Sequence, residues 1–434
     1  MSSGRRSLLV IPLVLAGVWT VTAAERPVAD LPRQRPLAPG LESIDRKRIE
    51  ADIVHLAGPE FSGRGAWEDR RQVSRLIAER FRGHGLRPLF GHPADDSSAA
   101  PPRGTEPVDP LAGFFQPVPG PAAPGDERPL SERPPSGWNV GGIIPGSDPD
   151  LAHEWIIVSA HFDHLGVRNG RLYPGADDNA SGVAMLLELS RIWSRGERPR
   201  RSIALVAFDL EESLLWGSRW FAGHPPRSLE SLKLFMTADM IGRALGGLPI
   251  DDIFVLGAEH SERMPELLAS VPRHPDLRVS RLGIDFIGTR SDYGPFRDAG
   301  IPFLFFSSGE HPDYHSPRDT PERVDYEKVT RVTALVGEVA WRVAAMESDE
   351  TPVFREPGDP EVVEVETLRH VCDQLIRHDE IEKKAGRPGL TSLQKLLVSN
   401  TRHQAQAIID RGKLTRGERG WLMRSAQLLI AMVL

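Results

Sequence analysis

Five short apolar runs punctuate the middle of the chain, each closed by polar or turn-forming residues: WIIVSA (155–160), SIALVAF (202–208), KLFMTA (233–238), DIFVLG (252–257) and PFLFFSS (302–308). Runs of this length without polar alternation read as strands buried on both faces, the pattern of a mostly parallel α/β sheet. Between the first two, residues 181–193 place Val183, Leu186, Leu187 and Ile192 on one apolar stripe at helical spacing, and a longer helical pattern runs from Asp325 to Met346. Upstream, Ile49, Ile53 and Leu56, then Leu76, Ile77 and Phe81, mark two amphipathic helices joined by the turn-rich stretch Phe61-Ser62-Gly63-Arg64-Gly65. The pattern lapses over 91–137, where Pro, Gly, Ala, Asp and Ser dominate, so this segment reads as a mobile insertion. Beyond about Ser348 come polar helical segments with an apolar end at Leu428–Leu434, too short to cross a bilayer. The fold class predicted is α/β: a mostly parallel central sheet flanked by helices, with a helical C-terminal extension.

A length of 434 residues leaves room for one large domain and something more. The balance of 53 basic against 60 acidic residues, net charge -7, is far from the basic footprint of a nucleic-acid binder, so nucleic acid is excluded as the main partner. The single cysteine, Cys372, rules out an intramolecular disulfide and a metal site built on several thiolates. Any metal must therefore be held by His, Asp and Glu. At the start, Arg5 and Arg6 precede an apolar run from Leu8 to Val21 and small residues at Thr22, Ala23 and Ala24, the layout of a secretory signal. Export to the periplasm or the outside is expected, with no stable membrane span after removal of residues 1–24; an uncleaved anchor is the alternative.

The chemistry-bearing residues fall where an α/β sheet gathers them, just past the carboxyl ends of strands. Run 155–160 leads into His161-Phe162-Asp163-His164, run 202–208 into Asp209-Leu210-Glu211-Glu212, run 233–238 into Asp239, and run 302–308 into Gly309-Glu310-His311-Pro312-Asp313-Tyr314-His315. An acidic turn, Asp177-Asp178-Asn179, precedes the helix after the first strand. Alone, each is ordinary: a polar turn, a solvated acidic pair, a helix N-cap. Four strand ends carrying such groups to one edge is a site. Carboxylates brought within roughly 4 Å repel by a few kcal/mol per pair at an effective dielectric near 20, so a cation belongs among them. Two divalent ions with two neutral imidazoles and three carboxylates leave one net positive charge, enough to hold hydroxide, and this donor set suits zinc, with manganese or cobalt as substitutes. Spacing alone leaves His161 or His164, Asp177 or Asp178, and His311 or His315 open.

AHFDHLG (160–166), GADDNASGVA (175–184), FDLEESLLWGS (208–218), TADMIGR (237–243) and DYHSPRDT (313–320) resemble, in order and spacing, the metal-binding motifs of the M28 family of zinc aminopeptidases. SDYGPFRDAGIP (291–302), NVGGIIPG (139–146) and FSGRG (61–65) are similar to lesser signatures of that family, and the resemblance spans roughly 40–346 apart from the insertion. It implies a zinc-exopeptidase-like α/β/α sandwich with two zinc ions per chain. His161 and Asp239 would bind one ion, Glu212 and His315 the other, and Asp177 would bridge them. Asp163 would orient His161 from behind, Glu211 would be the general base toward a metal-bridged water, and Tyr314 would hydrogen-bond the oxyanion. The activity implied is removal of the N-terminal residue of peptides by an exported enzyme. The chain departs from the family at Leu214, where a glycine is usual, and at Tyr293, where a histidine often follows Asp292. Tyr293, Phe296, Phe286 and Ile287 are candidates for the side-chain pocket.

The organisation expected is a signal at 1–24, an N-terminal helical part at 25–90, the insertion at 91–137, the di-zinc core at 138–347 and the extension at 348–434. Other functions weighed are a glutaminyl cyclase-like acyltransferase with a single zinc, a carboxypeptidase or dipeptidase using Arg243 or Arg290 as carboxylate clamp, and a non-catalytic receptor-like binding domain.

Overall fold

The computed structural model describes residues 37–91, 109–120, 128–357 and 361–433. The expected signal at 1–24 lies outside the described residues. In chain order the elements are α1 (Arg46–Leu56), α2 (Trp67–His84), β1 (Arg87–Pro88), β2 (Phe115–Pro119), β3 (Pro135–Ile144), β4 (Trp155–His161), β5 (Gly166–Arg168), β6 (Arg171–Tyr173), α3 (Gly182–Trp193), β7 (Ser202–Phe208), α4 (Trp216–Gly223), β8 (Leu232–Ala238), β9 (Asp252–Leu256), α5 (Met264–Ser270), β10 (Arg278–Leu282), α6 (Tyr293–Asp298), β11 (Phe303–Ser307) and α7 (Tyr326–Ala345). Three further helices follow, α8 (Val362–Lys384), α9 (Ser392–Arg411) and α10 (Arg416–Val433). All five apolar runs are strands.

Nine strands form one sheet in the order β1-β3-β7-β4-β8-β11-β9-β10, with β2 beside β3. It is mixed rather than mostly parallel. The contiguous block β7-β4-β8-β11 is parallel, whereas β3 runs antiparallel to β7 and β9 antiparallel to β11. That block sends four carboxyl ends to one edge. Along β4, Ile156, Val158 and Ala160 join the core under α1, α2, α3 and α7, while Trp155 and Ile157 join the opposite core with Phe208, Phe221 and Phe296. Cover on both faces is why the runs show no polar alternation. Each fully buried large apolar side chain contributes roughly 1.5–3 kcal/mol to holding the layers together.

Part of the segment read as an irregular insertion is ordered structure. Phe115–Pro119 pairs antiparallel with β3, Phe115 opposite Val140 and Val118 opposite Gly137, and Val118 is fully buried. Pro117 and Pro119 hid this strand from a reading of composition, because a residue without an N–H is tolerated on an edge strand that has only one neighbour. Residues 92–108 and 121–127 lie outside the described residues.

The C-terminal helices pack on the sheet unit through two clusters. Leu422 and Ala426 of α10 join Phe286, Val365 and Ile408, and Leu429 joins Leu248, Ile250 and Cys372. Arg419 reaches both Asp285 and Glu364, the latter at 2.8 Å. Among the described residues no helix is long and apolar enough to cross a membrane.

Candidate metal centre

The carboxyl edge of the parallel block gathers two groups of side chains: His161, Glu211 and Asp239, and His164, Asp178, Glu212 and His315. Within each group one ligand atom per residue lies within 4.8 Å of every other. His161 ends β4, Glu211 and Glu212 follow β7, Asp239 follows β8, and His315 comes from the loop after β11. Asp178 stands between the groups: its Oδ1 is 3.3 Å from His161 Nε2, and its Oδ2 is 3.2 Å from His315 Nε2 and 3.6 Å from His164 Nδ1.

Asp177, the expected bridge, is turned away from that space. Its Oδ1 accepts the Gly242 N–H at 2.6 Å, and its carbonyl accepts the Ser181 hydroxyl. The cause is the turn itself. The Asp319 carboxylate accepts the backbone N–H groups of both Asp177 and Asp178, fixing the loop so that the two side chains leave in different directions. Gly175 makes the turn possible: its φ is 59°, and a Cβ there would meet the Asp178 carbonyl at 2.2 Å. Spacing could not have told the two aspartates apart.

His161 and His164 are not alternatives, since each reaches a different group. His161 Nε2 is 3.3 Å from Asp239, and His164 Nδ1 is 2.9 Å from Glu212 Oε1. His315 lies 3.2 Å from both Asp178 and Glu212, while His311 is buried 3.6 Å from Asp177. Asp163 sits behind His161, its Oδ1 3.7 Å from Nδ1, while the Asp163 carbonyl faces the same nitrogen at 3.2 Å; its carboxylate also accepts the N–H groups of Glu211 (3.0 Å) and Glu212 (3.2 Å). With Nδ1 as the donor there, Nε2 is left free to ligate. Tyr314 stacks on His315 with ring centroids 3.9 Å apart. Arg243 is engaged by Asp313 at 2.9 Å, and Arg290 sits 3.4 Å from Glu310. Leu214, at the glycine position, has a φ of 62° and is exposed, a left-handed conformation in which glycine is the unstrained residue.

Three residues escaped the sequence reading. Asp319 holds the turn, within a motif read only for its tyrosine and histidine. Asp292, buried beside the site, has its carboxyl pushed up to about 7 by burial. Arg64 is fully buried, and its guanidinium donates to the carbonyls of Phe162 (2.8 Å), Leu56 (2.9 Å), Pro174 (2.6 Å) and Gly175 (2.7 Å), tying together the loops that carry the histidines and the acidic turn. The FSGRG motif was the signal for it.

The electrostatics call for a cation. Burial opposes charge on the Glu212 carboxyl, yet the adjacent His164 and His315 rings outweigh it and hold the group down to about 2. Burial likewise opposes protonation of His315, but Asp178 and Glu212 draw it up to about 10. Burial, with Asp239 adding to it against the opposing pull of His161, raises Glu211 well above the usual carboxyl range. Without a metal, imidazolium protons neutralise this acidic pocket. His164 Nδ1 (2.9 Å) and His315 Nε2 (3.2 Å) converge on the buried Glu212 Oε1, and His164 Nε2 has no hydrogen bond. Imidazoles and carboxylates without thiolate, buried and convergent, fit zinc.

Beside the groups lies a cavity of about 490 Å³. Asp178, Glu211, Asp239, Tyr314 and His315 are among its polar lining, and Phe286 and Ile287 are among its apolar lining. Tyr293 and Phe296, the other pocket candidates, belong to the core instead: both are fully buried, and Phe296 stacks on Phe235 at 3.7 Å.

A layered α/β fold whose parallel strands end in two convergent His and carboxylate groups defines a metal-site protein of the α/β class. Residues 139–340 match the model of peptidase family M28. Aminopeptidase YwaD of Bacillus subtilis (strain 168) is 25% identical over 210 residues, 46% of this chain and 42% of that protein. Glutaminyl-peptide cyclotransferase of Bos taurus is 25% identical over 245 residues, 48% of this chain and 67% of that protein. The chain spans about half the length of the curated relatives it matches. In fold it is similar to BSAP, a zinc aminopeptidase from Bacillus subtilis, with a TM-score of 0.51 at 16% identity, covering 75% of this chain and 100% of that one.

Proposed function

We propose that the chain is an exported zinc aminopeptidase that removes the amino-terminal residue of peptides, with two zinc ions per chain. The observation that carries this reading is Asp178, placed between two ligand groups that border a partly apolar cavity. His161, Asp178 and Asp239 would hold one ion; Asp178, Glu212 and His315, with His164 alongside, the other. What zinc supplies when bound is Lewis acidity toward the scissile carbonyl and an acidified water.

The chain's own groups do the rest. Burial and Asp239 make the Glu211 carboxylate more basic than an exposed glutamate, which suits a group that takes the proton of the attacking water and returns it to the leaving amine. Burial raises the Tyr314 hydroxyl above its ordinary range, so it stays protonated as a donor to the developing oxyanion. Asp163 sets the backbone from which Glu211 and Glu212 project. The partly apolar cavity takes the first side chain of the peptide. Residues 1–24 act as the export signal, 138–347 as the catalytic core.

The test is elemental analysis of the purified chain with a panel of aminoacyl anilides and of peptides with free or acetylated amino termini. Two equivalents of zinc and cleavage only behind a free amine are expected. Glu211→Gln should keep both equivalents while activity falls ~100-fold or more; wild-type turnover in that variant refutes the base. The second reading rests on the likeness to the Bos taurus cyclotransferase. Release of ammonia from peptides beginning with glutamine, with no peptide-bond cleavage, would decide for it.

A further inference from the structure

Helix α10 lies outside the region that matches the peptidase family, yet Gln427, Ile430 and Ala431 line the same cavity as Glu211 and Tyr314. Positions 427, 430 and 431 are spaced as neighbours on one helical stripe. The next stripe, Leu422, Ala426 and Leu429, is buried in the two clusters that fasten the extension to the sheet unit. Arg419 pins the start of the helix to Asp285 and Glu364, and its guanidinium lies 5.4 Å from the ring centroid of Phe286. Phe286 is shared, since it also lines the cavity. The inner stripe is therefore held over the cavity by packing on the cavity's own wall.

The cavity's apolar lining includes Leu245, Leu256, Leu282, Phe286 and Phe305; its charged lining is the site residues together with the Arg290–Glu310 pair. A cavity that joins carboxylates to apolar walls suits a ligand that carries an amine and a hydrocarbon side chain.

On the aminopeptidase reading, we infer that α10 is a wall of the substrate pocket: Ile430 and Ala431, which line it, set the largest amino-terminal side chain accepted and make the extension a specificity element of this chain. The occupant is an apolar side chain, aliphatic or aromatic.

The test uses the full zinc-loaded chain with Ile430→Trp, Ile430→Ala and, as a control on the exposed face of α10, Leu428→Ala. Values of kcat/KM are compared for alanyl, leucyl and phenylalanyl anilides, and binding of straight-chain alkylamines of increasing length is titrated calorimetrically. Ile430→Trp should depress phenylalanyl and leucyl turnover relative to alanyl by roughly tenfold or more, the scale on which a hydrophobic pocket discriminates. It should also weaken the longest amines by a similar factor. Ile430→Ala should move both ratios the other way, and Leu428→Ala should leave them alone, with zinc content and Tm unchanged throughout. Unchanged ratios in both Ile430 variants, with activity and zinc retained, overturn the inference. If the wild type cleaves no anilide, the peptidase reading fails, and the amine titration still judges the wall by whether Ile430 sets the length bound. Should the Trp variant not fold, Ile430→Ala decides alone, because it only removes atoms.

Discussion

Replacing Asp178 and Asp177 in turn by asparagine tests the placement on which the metal centre rests. The Asp178 carboxylate converges with His164, Glu212 and His315 to within 4.8 Å and is 3.3 Å from His161. Taking that widest ligand-to-ligand spacing of 4.8 Å as an outer bound on the separation, a single negative charge attracts a divalent cation by about 7 kcal/mol at an effective dielectric near 20. Even if solvent and the remaining ligands recover more than half of this, about 3 kcal/mol is lost, or roughly 100-fold in zinc affinity. Because Asp178 faces both groups, the loss falls on both. Asp177→Asn keeps an oxygen to accept the Gly242 N–H, the contact Asp177 makes at 2.6 Å, and should retain both zinc equivalents. The assay is zinc per chain after dialysis against buffered free zinc, read beside anilide hydrolysis. Asp178→Asn should fall to one equivalent or fewer with activity lost. Full zinc in Asp178→Asn and loss of zinc in Asp177→Asn would refute the argument and restore Asp177 as the bridge.

Arg64→Met leaves four buried carbonyls without their donor and should cost about 3–5 kcal/mol in denaturant unfolding, the scale of a broken buried charged network; a loss under ~1 kcal/mol would show that the arginine does not organise the loops. Asp163→Asn removes one of the two acceptors for the Glu211 and Glu212 amides and should weaken zinc roughly 10–100-fold, measured by competition with a chelator. Burial, against its backbone hydrogen bonds, pushes the Glu259 carboxyl from 4.5 up to about 7. A raised folded value means that the native state holds its proton where the unfolded chain has lost it, so this contribution is full below about pH 4.5 and is lost as pH rises through 7. The shift corresponds to about 3 kcal/mol. Glu259→Gln should therefore gain stability relative to the wild type between pH 5 and pH 8, and a difference that does not vary with pH would contradict the assignment.

The apolar runs alone located the five strands, because burial on both faces of a sheet leaves the same mark in any sequence. They also placed His161, Glu211, Glu212, Asp239 and His315 at one edge, since parallel strands share the direction of their carboxyl ends. Strand direction at the edges was not legible: an apolar run has no polarity, so β9 against β11 and β3 against β7 became antiparallel only through the path of the intervening chain. The choice between neighbouring side chains was likewise out of reach. Asp177 and Asp178 are chemically identical, and only the grip of Asp319, more than 140 residues away, decides which faces the cavity. Proline content concealed β2, because composition registers a missing donor but not an edge that does not need it. The lining of the cavity by α10 depends on contacts between Leu422, Ala426 and Leu429 and residues far back in the chain, which no local pattern encodes. The sequence by itself determined the layers of this protein and the kinds of ligand at their edge, because hydrophobicity and residue chemistry are local. Only the tertiary structure decided which of two adjacent side chains enters the site and what walls it in, because those depend on partners distant in sequence.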